Sequence, residues 1–151
     1  MIELPEEVLR QRIVPGTIIK TEVSYPDGAT SVKRCIVVSK DNDHTILTTL
    51  STSQIHNADR FNRSKLKIEA GKSSIFEIDT IIEGHRIFEL ETRKICEKIN
   101  HRQQFEIQTN ILGNIESQWL KEICDMLLNS KTIERKFKHR IKAALDSIEE
   151  P

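Results

Sequence analysis

The spacing of apolar residues changes period twice along this chain, from helical to alternating after Pro15-Gly16 and back to helical after Gly113. Within residues 3–13, Val8, Leu9 and Ile13 recur at roughly helical spacing with Pro5 at an early position, so a short helix is expected and Pro15-Gly16 ends it. From Thr17 to Ser24 the period is two and β-branched residues dominate, which predicts a strand. Lys33 to Ser39 forms a second strand, whose continuous Cys35-Ile-Val-Val38 run suits a central position covered on both faces. Thr45 to Ser51 forms a third. Tyr25 to Val32 reads as a polar loop, too long for a tight hairpin turn.

Beyond the Ser51-Thr-Ser-Gln54 cluster, the stretch His56 to Lys67 is polar and basic, with Phe61 among Arg60, Arg63, Lys65 and Lys67. Leu66 and Ile68 alternate with lysines as an edge strand ahead of a turn at Ala70-Gly71-Lys72. Ser74 to Ile82 and Arg86 to Leu90 alternate like a strand pair about Glu83-Gly84-His85, Lys94 to Ile99 is read as pairing again, and Phe105, Ile107 and Ile111 supply a last short strand. Ile115, Trp119, Ile123 and Leu127 then recur every four residues and predict a helix. A second helix follows, with Ser130 as N-cap and Ile133, Phe137, Ile141, Leu145 and Ile148 as its apolar stripe. The order of helix, five to seven short antiparallel strands and two helices is an α+β arrangement on a small curled sheet or barrel.

Composition changes this picture little. A chain of 151 residues with 37% hydrophobic and 30% charged residues is expected to form one domain, neither disordered nor membrane-spanning. Zero formal net charge removes any global argument for a polyanion partner, so local patches have to carry it. Cys35, Cys96 and Cys124 are odd in number and lack CxxC spacing, which argues against a disulfide framework or a zinc site and for a reducing, cytoplasmic setting. The N-terminal MIELPEEVLRQR lacks the basic and apolar regions of a leader. No two of the five histidines have diagnostic spacing, so no metal and no cofactor are expected.

Gly16-Thr-Ile-Ile, then Lys33-Arg-Cys-Ile-Val-Val-Ser39, then a strand ending Leu50-Ser-Thr-Ser-Gln54 resembles the MazF/PemK toxins of bacterial toxin-antitoxin pairs. Asn110-Ile-Leu-Gly-Asn-Ile115 and the helix through Leu128 look like that family's last strand and closing helix. For the strand carrying the family's glutamine and arginine, either Asp79-Thr-Ile-Ile82 or Glu91-Thr-Arg-Lys-Ile95 is available, the second favoured because Arg93 falls in register. Two departures stand out: Cys35 replaces the usual proline, and the helix from Lys131 to Glu149 is longer than the usual ending.

The resemblance implies an SH3-like β-barrel over about residues 15–115 with C-terminal helices over about 116–149, a homodimer, a cognate antitoxin peptide, and metal-independent cleavage of single-stranded RNA. In that chemistry the 2′-hydroxyl attacks the adjacent phosphate, and an arginine fork suits the anionic phosphorane. Carried over by position, Arg34 is the catalytic candidate with Thr52 as its partner, or Ser51 if the strand is shifted by one. Lys33, Gln54, Arg60, Arg63, Lys65 and Arg93 are the RNA-binding candidates. Two other readings compete: a non-catalytic SH3-like module holding RNA or a protein, and a CcdB-like gyrase inhibitor acting through its terminal helix.

Overall fold

The computed structural model describes residues 5–41, 44–53, 65–101 and 109–149. The alternating stretch forms strands β1 (Thr17–Ser24), β2 (Thr30–Asp41) and β3 (Thr45–Thr52), followed by β4 (Lys65–Ile68), β5 (Thr80–Glu83), β6 (Phe88–Glu91) and β7 (Asn110–Asn114). All seven join one antiparallel sheet in the order β4-β5-β3-β2-β1-β7, with β6 paired to the other end of β3. Helices α1 (Glu6–Arg12) and α2 (Thr92–Asn100) lie on one side, and α3 (Ser117–Asn129) and α4 (Arg135–Glu149) on the other.

Alternation along the central strands explains the layering, because successive side chains point to opposite faces. Ile18, Ile36, Val38 and Leu47 pack with Leu120, Ile123, Leu127, Ile141 and Leu145 of α3 and α4. Their immediate neighbours Ile19, Val37 and Ile46 pack with Leu9 and Ile13 around α1 and with Ile95, Cys96 and Ile99 of α2. The expected two-sided burial of Cys35 to Val38 is therefore observed, with all four residues fully buried.

The sheet does not close into the expected barrel. Among the described residues no ladder joins β4 to β7. The space between these short edges is filled by the 70–79 segment: Ile75 lies against Gly113, the Trp119 indole N–H donates to the Lys72 carbonyl at 3.0 Å, and the Glu116 carboxylate holds Ser73 and Ser74. Side chains rather than backbone pairing seal that flank, and Trp119 serves there as half-buried core.

Four local expectations are corrected. Residues 25–29 make a tight hairpin, not a long loop: Ser24 pairs with Thr30, the Gly28 N–H donates to the Tyr25 carbonyl, and Gly28 adopts φ +89°, which suits glycine. β5 and β6 do not pair with each other; each pairs with a different half of β3. Residues 94–99 are helical, because Thr92, Ile95, Cys96 and Ile99 make one buried face against α1. Ser130 ends α3 rather than starting α4, its N–H donating to the Leu127 carbonyl. Phe105 and Ile107 lie outside the described residues.

Candidate functional site: a cationic cavity at the end of the sheet

The hairpin register brings the first functional side chains together. Arg34 on β2 stands opposite Lys20 on β1 and opposite Ser51 on β3, so three residues distant in sequence form one row across the sheet. This row continues the face that carries Ile18 and Ile36, just past the end of the core beneath α3 and α4. The turn segment after β4 closes over it with Phe76 and Ile78. The result is a cavity of about 300 Å³ lined by Lys20, Lys33, Arg34, Ser51, Thr52 and Ser53 with Phe76, Ile78 and Thr80.

Arg34 is exposed, and among the described residues neither its guanidinium nor the Lys20 ammonium has an ion-pair partner. Among the described residues no carboxylate lines this cavity. Uncompensated positive charge held in a concave site favours an anionic ligand. A second cavity of about 380 Å³ adjoins it, sharing Arg34, Phe76 and Ile78 and adding Glu77, Ile75 and Leu112. The rim is unusually apolar, with Ile78 57%, Leu112 39% and Val32 37% exposed.

The hydroxyl groups divide by face. Ser51 lies directly opposite Arg34, and its hydroxyl donates to the Arg34 carbonyl at 3.0 Å, so it is engaged in holding the strand pair. Thr52, one residue on, stands beside Lys33 on the other pleat and reaches the cavity from its edge. Cys35 is fully buried on the Thr52 side. Burial pushes its thiol up to about 12, with the Thr48 hydroxyl opposing, so it is an inert core group rather than a nucleophile.

Of the other residues expected to bind RNA, Lys65 is on the edge strand opposite Glu83, away from the cavity lining. Arg93 is not in a strand at all: it is an exposed residue of α2, which packs on the opposite face of the sheet from the Arg34 row. Gln54, Arg60 and Arg63 lie outside the described residues. The basic run of α4 is partly neutralised, with Lys136 paired to Glu134, Lys142 to Asp146, and Arg140 to Glu89 at 2.7 Å. Among the described residues no three His, Cys, Asp or Glu side chains are grouped to hold a metal ion, and no helix is long and apolar enough to cross a membrane.

Sequence reasoning missed Lys20, Phe76, Ile78 and Thr80. Lys20 was recoverable: a tight turn over Tyr25-Pro-Asp-Gly28 pairs Ser24 with Thr30, and counting back along both strands sets Lys20 opposite Arg34. Fold and site together define an α+β protein with a cationic cavity at one end of its sheet. No protein-family model matches the chain, and no curated protein matches it either.

Proposed function

We propose that this protein is a metal-independent endoribonuclease of the MazF/PemK toxin kind, which holds a phosphodiester of single-stranded RNA in the Arg34 cavity. The observation that carries the reading is Arg34 itself, without an ion-pair partner among the described residues and joined in one cavity by Lys20, Lys33 and four hydroxyl-bearing residues. The bent meander of β1, β2 and β3, with its bulge between Val37 and Ser39, supports an SH3-like relationship despite the open sheet. Such a toxin acts in the cytoplasm, as a homodimer, and is silenced by an antitoxin peptide. The apolar rim of Val32, Ile78 and Leu112 is suited to cover by such a peptide.

In the reaction, the 2′-oxygen bonds to phosphorus and the bond to the 5′-oxygen breaks, leaving a 2′,3′-cyclic phosphate and a 5′-hydroxyl. The Arg34 fork and the Lys20 ammonium stabilise the phosphorane oxygens, a role in which one donor is worth about 10² in rate. The 2′-hydroxyl proton passes to Glu77, the carboxylate that lines the adjoining cavity with Arg34, and the departing 5′-oxygen takes up a proton from solvent.

A second reading, a binding module that holds RNA without cutting it, is favoured by the absence, among the described residues, of any histidine or carboxylate from the main cavity and by the engagement of Ser51 with the backbone. Incubation with long single-stranded RNA in EDTA separates the two. Cleavage at a short recurrent sequence with 5′-hydroxyl ends is expected, slowed about 100-fold in Arg34→Ala. Intact RNA with folded protein would leave binding only, and growth arrest without RNA loss would point to a gyrase-directed activity.

A further inference from the structure

Across the sheet from the Arg34 row, a second group of side chains has no explanation in packing alone. Glu83, the last residue of β5, is only 8% exposed, yet among the described residues its carboxylate makes neither a hydrogen bond nor an ion pair. Its backbone carbonyl is engaged by the Thr49 hydroxyl, which fixes the strand and does not involve the side chain. Burial raises its pKa, and the charges of Lys33 and Arg86 only partly offset this. A carboxylate partly desolvated and set among cationic side chains, with no hydrogen bond among the described residues, is a candidate ligand contact.

Beside it lies an aromatic platform. Tyr25 and Phe88 meet edge to face at 5.5 Å, and the exposed Arg86 guanidinium covers both rings at 5.4 and 5.9 Å. Burial followed by the nearby Glu83 charge raises the Tyr25 pKa, so phenol and carboxylate share one environment. Lys33 connects the two faces: it lines the Arg34 cavity and its charge acts on Glu83.

We propose that Tyr25, Glu83 and Arg86 form a base-recognition subsite for a guanine of single-stranded RNA, one that rests on the RNA reading of the Arg34 cavity. The base stacks on the outer face of the Arg86 guanidinium, which itself lies over the Tyr25 ring, a planar partner of the kind unpaired RNA bases use. Its N1–H and N2–H donate side by side to the two oxygens of Glu83. Guanine alone among the four bases offers two adjacent N–H donors on its Watson–Crick edge. Adenine and cytosine set a ring-nitrogen acceptor beside their amino group, which a carboxylate repels, and uracil has a single donor between two carbonyls. Lys33 then bridges from the base subsite to the phosphate in the neighbouring cavity.

The test is fluorescence anisotropy in EDTA with 2′-fluoro oligouridylates, which cannot be cleaved, carrying one central guanine, inosine or adenine. Wild type should bind the guanine oligomer about 10-fold tighter than the adenine one, with inosine, which lacks the 2-amino group, in between. Glu83→Gln should erase the preference while keeping the affinity for the adenine oligomer. Arg86→Ala, at an exposed position, should weaken the guanine oligomer about 5-fold through lost stacking. Arg34→Ala should weaken all three oligomers equally. Equal binding by Arg34→Ala and wild type, or no binding by either, would overturn the RNA reading and the subsite with it. Arg34-dependent binding without a guanine preference, or a preference that survives Glu83→Gln, would overturn the subsite alone.

Discussion

Glu116 and Glu83 are both carboxylates drawn in from solvent, and their surroundings could hardly differ more. Glu116 precedes α3 and turns its Oε1 to the 70–79 segment, where it accepts from the Ser73 hydroxyl at 3.1 Å and from the Ser74 N–H and hydroxyl at 3.0 and 2.8 Å. Burial pushes its pKa up, but these hydrogen bonds outweigh that and hold it below the usual carboxylate range. Glu83 has no such donors and sits above that range. One carboxylate is held by the protein through Oε1 alone, its Oε2 buried without a hydrogen-bond partner, and it supports the wall of the cavity. The other is offset only by the nearby charges of Lys33 and Arg86. Hydrogen-bond donors, more than burial, decide in which direction a carboxylate's pKa moves.

The comparison is broken most directly at Glu116. Glu116→Ala removes three donors' shared acceptor and should cost about 2 kcal/mol, roughly 4–8 °C in Tm, read by thermal unfolding. A change under one degree would mean that the 70–79 segment is held by other contacts. Ser51 extends the comparison into the cavity, since its hydroxyl already serves the Arg34 carbonyl. Ser51→Ala should lower stability by about 1 kcal/mol and leave the chemical step nearly unchanged, whereas a rate loss matching that of Arg34→Ala would return Ser51 to the reaction.

The smallest effect carries the clearest sign. Glu116, with its depressed pKa, contributes stability that is present above the unfolded carboxylate value and lost as pH falls through its folded value. Glu83, with its raised pKa, contributes stability that is complete below the unfolded value and lost as pH rises through its folded value. Glu83→Gln should therefore raise Tm at neutral pH, with the gain shrinking in acid, while Glu116→Gln should lower Tm at neutral pH, with the loss shrinking in acid. Tm series between roughly pH 4 and pH 7 measure both. A lower neutral Tm for Glu83→Gln would show that its carboxylate is stabilising after all.

Much of this architecture was legible where a segment's own pattern settles its fate. β1 has the bounds expected from β-branched alternation, and the apolar stripes of α3 and α4 are the faces that pack on the sheet. Lys94 to Ile99 was misread because six residues with isoleucines four apart fit a short strand as well as a helix, and contact with α1 decides for the helix. Arg93 went astray with it. Arg34, Ser51 and Thr52 were chosen from a motif and do line one cavity, but which hydroxyl faces the arginine is a matter of register, set by where β2 and β3 pair.

By itself, then, the sequence determined the meander, the two C-terminal helices and the α+β class, because hydrophobic period and turn chemistry act over a few residues. Tertiary structure alone decided that the sheet stays open, that helices cover both faces, and that Lys20, Arg34 and Phe76 meet at one cavity while Tyr25, Glu83 and Arg86 meet at another place. These are meetings between distant segments. They depend on packing and pairing partners that no local window contains.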